Sequence, residues 1–247
     1  MSLAIDPGGT TLEFTPDLIA LGAVWYLVFV FSTTCHEAAH AWAALRLGDS
    51  TAYHEGQVSL SPFPHMRREP FGMVLVPLLS LFSSGGQSLF GWASAPFDPQ
   101  WAINYPKRSA VMAAAGPAAN LVLAALSAVG MAVGLETGAF IFELSNYSHI
   151  VTAPGGGMLD GLAKLLSVGF ALNTLLFVFN LFPVPPLDGS SIIQLFMSDD
   201  LARRYRTFLW EQPMITMAAM LIAVFFLGPI AGRVLNFATA LFVVIVR

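Results

Sequence analysis

Several apolar segments of about 20 residues restrict what this sequence can fold into, because a helix of that length crosses the roughly 30 Å hydrocarbon core of a bilayer. Of the 247 residues, 56% are hydrophobic and only 11% are charged, which is far too apolar for an ordinary soluble domain. We therefore expect an all-α polytopic membrane protein, a bundle of about five to six transmembrane helices. A β-barrel would show short alternating segments instead.

We expect the chain to form a single membrane-embedded domain, with no soluble regulatory domain appended. The first helix is predicted to begin with Asp17 as its N-cap and to stop at Gly48. A short β-hairpin is expected around 56–60, and 135–160 is expected to be an external loop. The predicted ranges are a polar leader at 1–16, helices at 18–47, 109–134 and 162–182, an interrupted apolar segment at 71–90, and C-terminal spans within 208–246 that are separated by Gly228-Pro229.

The first predicted helix contains His36-Glu37-Ala38-Ala39-His40. Residues four apart share one helix face, so His36 and His40 can offer two nitrogens to one metal ion. Glu37 lies about 100° around the helix, beside the metal without having to bind it. Zinc uses this pattern in hydrolases, with the carboxylate as general base. The simpler alternative is a pair of hydrogen-bonded histidines, which burial of ionisable groups in lipid makes less favourable.

A catalytic zinc usually takes three protein ligands and leaves the fourth position to water. The best candidate for the third ligand is Asp188, because it directly follows a predicted span and lies in a turn stiffened by Pro185, Pro186 and Gly189. Such a turn fixes the direction of a carboxylate, as a metal ligand requires.

Three motifs resemble the site-2 protease family of intramembrane zinc metalloproteases: HEAAH at 36–40, GPAAN at 116–120 and NLFPVPPLDG at 180–189, in that order. The likeness covers roughly 20–200, and three ordered motifs are more specific than one. The stretch 91–108 further resembles the small bacterial and archaeal members, whereas the PDZ insertion and CBS domain of larger relatives are absent from this sequence.

The resemblance implies that one Zn²⁺ is bound by His36, His40 and Asp188. It also implies that Glu37 is the catalytic acid/base. The substrate would be a transmembrane or membrane-adjacent peptide, and the location a prokaryotic cell membrane. The partners expected are therefore a membrane-protein substrate and the lipid bilayer.

The zinc hypothesis places a demand on the topology, since all three ligands must lie at one membrane depth. If 18–47 runs inwards, 162–182 must also run inwards and 109–134 outwards. Residues 71–90 must then be re-entrant or cross only partly, with the Ser83-Ser84-Gly85-Gly86 break supplying a bend. The site would lie near the cytoplasmic face.

The charges agree with this orientation, because cytoplasmic loops are enriched in lysine and arginine. Only Lys164 and Arg233 do not fit. The residues assigned to the inside are Arg46, Arg67, Arg68, Lys107, Arg108, Arg203, Arg204, Arg206 and Arg247, and those assigned to the outside are Asp6, Glu13, Asp17, Glu136, Glu143 and Asp160.

Other polar residues leave alternatives open. Asn120 and Asn180 could hold the substrate backbone or an oxyanion, or could form hydrogen bonds between helices. The segment 56–60 could receive an extended substrate as an edge strand, or could be a plain loop. His65 could belong to the metal site, or could be an ordinary loop histidine.

A rival function is a non-catalytic zinc-binding membrane protein or a metal transporter. A transporter should carry ionisable groups along a path through several spans. Here they concentrate at one end, and Glu37 is not needed for coordination alone. Nucleic acid is not expected as a partner, because the net charge is −4 and no basic patch is present.

Overall fold

The computed structural model describes residues 2–5, 11–13, 15–84 and 89–246, and these are mostly helical. The strands are β1 (Ser2–Ile5), β2 (Thr11–Glu13), β3 (Ile141–Asn146) and β4 (His149–Thr152). The α-helices are α1 (Pro16–Leu47), α2 (Thr51–His54), α3 (Pro62–Arg68), α4 (Val76–Ser83), α5 (Pro99–Asn104), α6 (Pro106–Glu136), α7 (Gly157–Asn180), α8 (Gly189–Ile192), α9 (Asp199–Glu211) and α10 (Pro213–Val246). A π-helix, Phe71–Leu75, precedes α4, and a 3₁₀ helix, Ile193–Phe196, follows α8.

Three of the described helices, α1, α6 and α7, are long and apolar enough to cross a membrane. They correspond to the predicted helices at 18–47, 109–134 and 162–182, each with somewhat different ends. The predicted helical membrane fold is thus confirmed in its coarse form, while the total number of spans stays a prediction.

Local chemistry fixes the ends of α1. The side chain of Thr15 accepts a hydrogen bond from the backbone N–H of Leu18, and Pro16 opens the helix, where its missing N–H costs nothing. The prediction that Asp17 is the N-cap is wrong, because Asp17 lies inside the first turn. Gly48 ends the helix with a φ of 106°, a left-handed conformation that favours glycine.

Helices α1 and α6 are antiparallel. The side chain of His36 contacts Asn120, whereas that of His40, one turn later on α1, contacts the backbone of Met112, two turns earlier on α6. The end of α1 and the start of α6 therefore lie at the same end of the bundle. The chain between them, 48–105, leaves and returns at that end.

Helix α7 is antiparallel to α6 and consequently parallel to α1. Ser127 of α6 lies against Gly169 of α7, while Met131, one turn later on α6, lies 3.8 Å from the hydroxyl of Ser167. These are the relative helix directions that the zinc hypothesis required.

The apolar segment predicted at 71–90 forms a short helix and then turns back. The π-helix and α4 together hold 13 residues, or about 20 Å, which is less than a bilayer core. Gly85 and Gly86 lie outside the described residues. Beyond them, the N–H of Phe90 donates to the hydroxyl of Ser80 at 3.0 Å, and that of Trp92 to the carbonyl of Gly72 at 3.1 Å. This path supports a re-entrant or partial span.

Two expected features differ from the structure. A β-hairpin does form, but at β3–β4 inside the predicted loop 135–160, and 56–60 contains no strand. There the buried side chain of Gln57 donates to the carbonyl of Pro64, and His65 donates to the carbonyl of Ser59, so the segment folds onto α3. The predicted break at Gly228-Pro229 falls on residues whose side chains lie outside the described part of the chain, so it stays a prediction.

The β3–β4 hairpin braces the end of the bundle at which α6 ends and α7 begins. The indole N–H of Trp25 on α1 donates to the hydroxyl of Ser148 at 3.0 Å, and the hydroxyl of Tyr147 donates to Asn236 of α10 at 3.1 Å. Ile150 and Val151 are buried in an apolar cluster with residues of α6, α7 and α10. The hairpin thus ties α1 and α10 together over this cluster.

We expect Ser148→Ala to lower the free energy of unfolding by about 1 kcal/mol, because the Trp25 indole N–H loses its acceptor. Thermal unfolding of the detergent-purified protein measures the change. Ser145→Ala is the matched control, since the Ser145 hydroxyl donates to the exposed carboxylate of Glu143 on the same strand. Equal effects of the two substitutions would show that the brace adds no stability.

Candidate metal centre

The structure brings the side chains of His36, His40 and Asp188 together. The two Nε2 atoms are 3.0 Å apart. Asp188 Oδ2 lies 3.2 Å from Nε2 of His36, and its Oδ1 lies 3.3 Å from Nε2 of His40. In the described part of the chain, no other three His, Cys, Asp or Glu side chains gather this closely.

The spacing and chemistry of these donors fit zinc. In a tetrahedral zinc site, neighbouring ligand atoms bonded at 2.0–2.1 Å lie about 3.3 Å apart, close to the three distances observed here. Oδ2 of Asp188 is buried and has no hydrogen-bond partner among the described residues, although Nε2 of His36 is near. A buried acceptor without a donor is rare in proteins, and a cation would satisfy it.

Helix α6 holds the outer nitrogen of each histidine. Nδ1 of His40 lies 2.8 Å from the backbone carbonyl of Met112, which can only accept, so this nitrogen carries the proton. Nδ1 of His36 lies 2.6 Å from Oδ1 of Asn120. With the protons on Nδ1, both Nε2 atoms present lone pairs towards Asp188. This is the usual arrangement around metal-binding histidines.

Gly116 lies between these two contacts on the same face of α6, because 112, 116 and 120 are four residues apart. A Cβ atom at position 116 would lie 2.3 Å from Nε2 of His40 and 2.6 Å from Nε2 of His36. Real Cβ atoms do not approach other atoms so closely. A residue without a side chain is therefore required for the two imidazoles to occupy these positions.

Asp188 is directed by the compact turn between α7 and α8. Gly189 packs directly against the end of α7, since a Cβ there would lie 2.3 Å from the carbonyl oxygens of Leu181 and Phe182. Burial opposes ionisation of Asp188, but positive charge on His40 and His36 beside it holds the pKa of its carboxyl well below the usual value. A cation bound at the same place would favour the carboxylate in the same way when both imidazoles are neutral.

Lys107 at the start of α6 anchors the chain that follows Asp188. Its ammonium group donates to the carbonyls of Gln194 and Leu195 at 2.9 and 2.8 Å, and also to that of Met197. Helix α6 thus supports the third candidate ligand as well as the two histidines.

Glu37 is buried, with 5% of its surface exposed. It lies near enough to His40 for a Coulombic interaction. Within the described part of the chain, no hydrogen bond or ion pair of its carboxylate is present. A carboxylate held beside the donor group and not engaged elsewhere is free to exchange protons.

The remaining candidates lie in different surroundings. Asn120 is fully buried, which favours a hydrogen bond between helices over contact with substrate. Asn180 is half-buried near the end of α7 and donates to the carbonyl of Leu176 at 3.0 Å. His65 is buried with Nε2 on the carbonyl of Ser59, and it is not part of the donor group.

Two groups around the centre escaped the sequence reasoning: the carbonyl of Met112, and Asn173, which contacts Asn120. A backbone carbonyl leaves no trace in a sequence. Asn173, however, is a polar residue within a predicted span, and this is a signal that could have identified it.

We expect Gly116→Ala to weaken zinc binding at least tenfold, because the new methyl group displaces both imidazoles. Chelator competition on the purified protein measures the dissociation constant. Gly130→Ala on the same helix is the control, since its Cβ would meet only the flexible end of Leu166 at 3.0 Å. An unchanged constant for Gly116→Ala would mean that the imidazoles do not need this space.

Comparison with known proteins is consistent with this centre. The chain is 35% identical over 177 residues to YwhC of Bacillus subtilis, a candidate zinc metalloprotease. That match covers 68% of this chain and 68% of YwhC. It is 31% identical over 175 residues to Rip2 of Mycolicibacterium smegmatis, also a candidate zinc metalloprotease. That match covers 71% of this chain and 58% of Rip2. No solved structure matches the chain significantly.

The model of peptidase family M50 matches residues 24–224, a range that contains all three motifs and the whole donor group. The resemblance to site-2 proteases is thereby confirmed, and the chain belongs to peptidase family M50.

Proposed function

We propose that this chain is an intramembrane zinc metalloprotease that hydrolyses peptide bonds of membrane-protein substrates. His36, His40 and Asp188 bind one zinc ion, and Glu37 is the catalytic acid/base. The observation that carries the proposal is the convergence of the three donor atoms within 3.0–3.3 Å of one another, beside a buried carboxylate. Membership of family M50 and the names of YwhC and Rip2 support the same activity.

When bound, zinc would supply Lewis-acid polarisation of the scissile carbonyl and greater acidity of a water molecule. Glu37 takes the proton of the attacking water and delivers it to the leaving amide nitrogen. The hydrogen bonds to Asn120 and Met112 keep the imidazoles in one orientation, so that no reorganisation is needed during the reaction. Asn180 is the remaining candidate for contact with the substrate backbone.

The non-catalytic alternative and the metal transporter are less well supported. A metal carrier has no use for Glu37, a buried carboxylate additional to the three donors. The donor group also sits at one end of the bundle, close to the ends of α1 and α7, instead of along a path through it.

Glu37→Gln should abolish cleavage while zinc remains bound, because the amide keeps the size of the side chain but cannot accept the proton. Cleavage of a single-span reporter protein in proteoliposomes and zinc content per chain are the two measurements. Glu143→Gln on the exposed face of β3 is the control and should cleave normally. Undiminished cleavage by Glu37→Gln would exclude Glu37 as the acid/base.

The centre lies near the cytoplasmic face in this proposal. Arg46, Lys107 and Arg108 all lie at the end of the bundle where α1 ends and α6 begins, as the distribution of positive charge predicts. Lys164, which did not fit, forms a salt bridge of 2.9 Å with Asp160 at the opposite end. That pair carries no net charge, so it does not oppose the orientation.

Cysteine labelling tests this orientation. In a Cys35→Ser background, Tyr53→Cys and Gln100→Cys should react with a membrane-impermeant maleimide only from the cytoplasmic side, because both positions are exposed and flank 71–90. Ser145→Cys on the hairpin should react only from the other side. Labelling of the first two positions from opposite sides would show that 71–90 crosses the membrane.

A further inference from the structure

Asn120 is the first member of a chain of buried hydrogen bonds that reaches away from the metal centre. Its Nδ2 donates to Oδ1 of Asn173 on α7 at 2.9 Å. Nδ2 of Asn173 donates in turn to the backbone carbonyl of Gly169 at 2.8 Å and to the hydroxyl of Ser32 at 2.9 Å. Asn120, Asn173 and Ser32 are each at most 2% exposed, so water does not compete for these bonds.

This chain of bonds has only one allowed direction. The carbonyl of Gly169 cannot donate, so the amide of Asn173 must turn its NH₂ group towards it. The oxygen of Asn173 then faces Asn120, which must present its own NH₂ group there. The oxygen of Asn120 is left facing His36, and Nδ1 of His36 must therefore carry the proton.

We propose that Asn173 is a positioning residue of the metal centre, which fixes the tautomer of His36 through Asn120. We call the series Gly169 carbonyl, Asn173 and Asn120 the amide relay. The carbonyl of Met112 fixes the tautomer of His40 directly, because it accepts a hydrogen bond from Nδ1. Both tautomers are thus set by backbone carbonyls, one directly and one through two side-chain amides, which leaves both Nε2 atoms to the metal. The inference rests on the proposed zinc site.

An amide relay differs measurably from ordinary hydrogen bonding between helices. If Asn173 only held α6 and α7 together, its removal would lower the free energy of unfolding. Its effect on zinc affinity would then be no larger than that of any other substitution that destabilises the protein by the same amount. If it orients Asn120, its effect on zinc binding must pass through Asn120 and must disappear when Asn120 is absent.

The experiment measures the zinc dissociation constant by chelator competition on the purified full-length protein. We expect Asn173→Ala to weaken binding about threefold to tenfold and Asn120→Ala about tenfold to a hundredfold. The double variant should bind no more weakly than Asn120→Ala alone. Ser127→Ala is the control, since the hydroxyl of Ser127 on α6 donates to a carbonyl four residues earlier, that of Leu123, at 2.9 Å, and makes no bond to Asn120 or Asn173 in the described part of the chain. Its dissociation constant should not change.

A rescue variant separates orientation from stability. Asn120→Asp places a carboxylate, which needs no relay in order to accept, opposite Nδ1 of His36. Added to Asn173→Ala, it should restore zinc affinity to within about threefold of wild type, whatever its effect on thermal unfolding. A merely structural network would be damaged further by this second change, and affinity would not return.

The outcomes distinguish failure of the relay from failure of the zinc site. Wild-type protein that binds no zinc, or Asp188→Ala that binds it as tightly as wild type, would overturn the proposed site itself. If both behave as expected, then the relay alone is overturned by an unchanged constant for Asn173→Ala, by losses that multiply in the double variant, or by absence of rescue.

Discussion

The antiparallel contact between α1 and α6 is the interaction on which the rest of the site depends. His36 and His40, one turn apart on α1, contact positions 120 and 112, two turns apart on α6, and position 116 lies between those two. At each end of this contact an acceptor on α6 accepts a hydrogen bond from Nδ1 of a histidine. Without these two contacts, the imidazoles would be free to rotate and could not present both Nε2 atoms to one ion.

The surroundings explain how so polar a cluster is tolerated in an apolar protein. Buried polar groups are stabilised only when each has a partner, and hydrogen bonds strengthen in a medium of low dielectric constant. The network from His36 to Ser32 meets this requirement. On one side of it lies the apolar cluster of Val28, Phe29, Val168 and Leu172, and beyond that the β3–β4 brace. The apolar packing therefore fixes the helices at one end while the polar contacts fix the site at the other.

Part of this architecture could be predicted from the sequence because its signals are local or are carried by recognisable motifs. The apolar segments indicated the three long helices, and HEAAH with the turn around Asp188 indicated the donor group. The contacts of Asn173 and Met112 could not be predicted, since they join residues 53 and 72 positions apart. The prediction of a strand at 56–60 was wrong because the side chains of Gln57 and His65 form hydrogen bonds to nearby carbonyls. Strand propensities do not take such side-chain bonds into account.

The contact of His40 with the carbonyl of Met112 has a consequence for how mutations report on this centre. The group that holds His40 belongs to the main chain, so every amino acid at 112 supplies it equally. A substitution scan would record 112 as tolerant, apart from the packing of its side chain against Trp101 and its neighbours. At position 116, one turn away, substitutions would not be tolerated, although this residue contributes no atom to the hydrogen bonds. Mutational sensitivity along α6 would therefore mark where space is needed and overlook one of the two groups that orient the histidines.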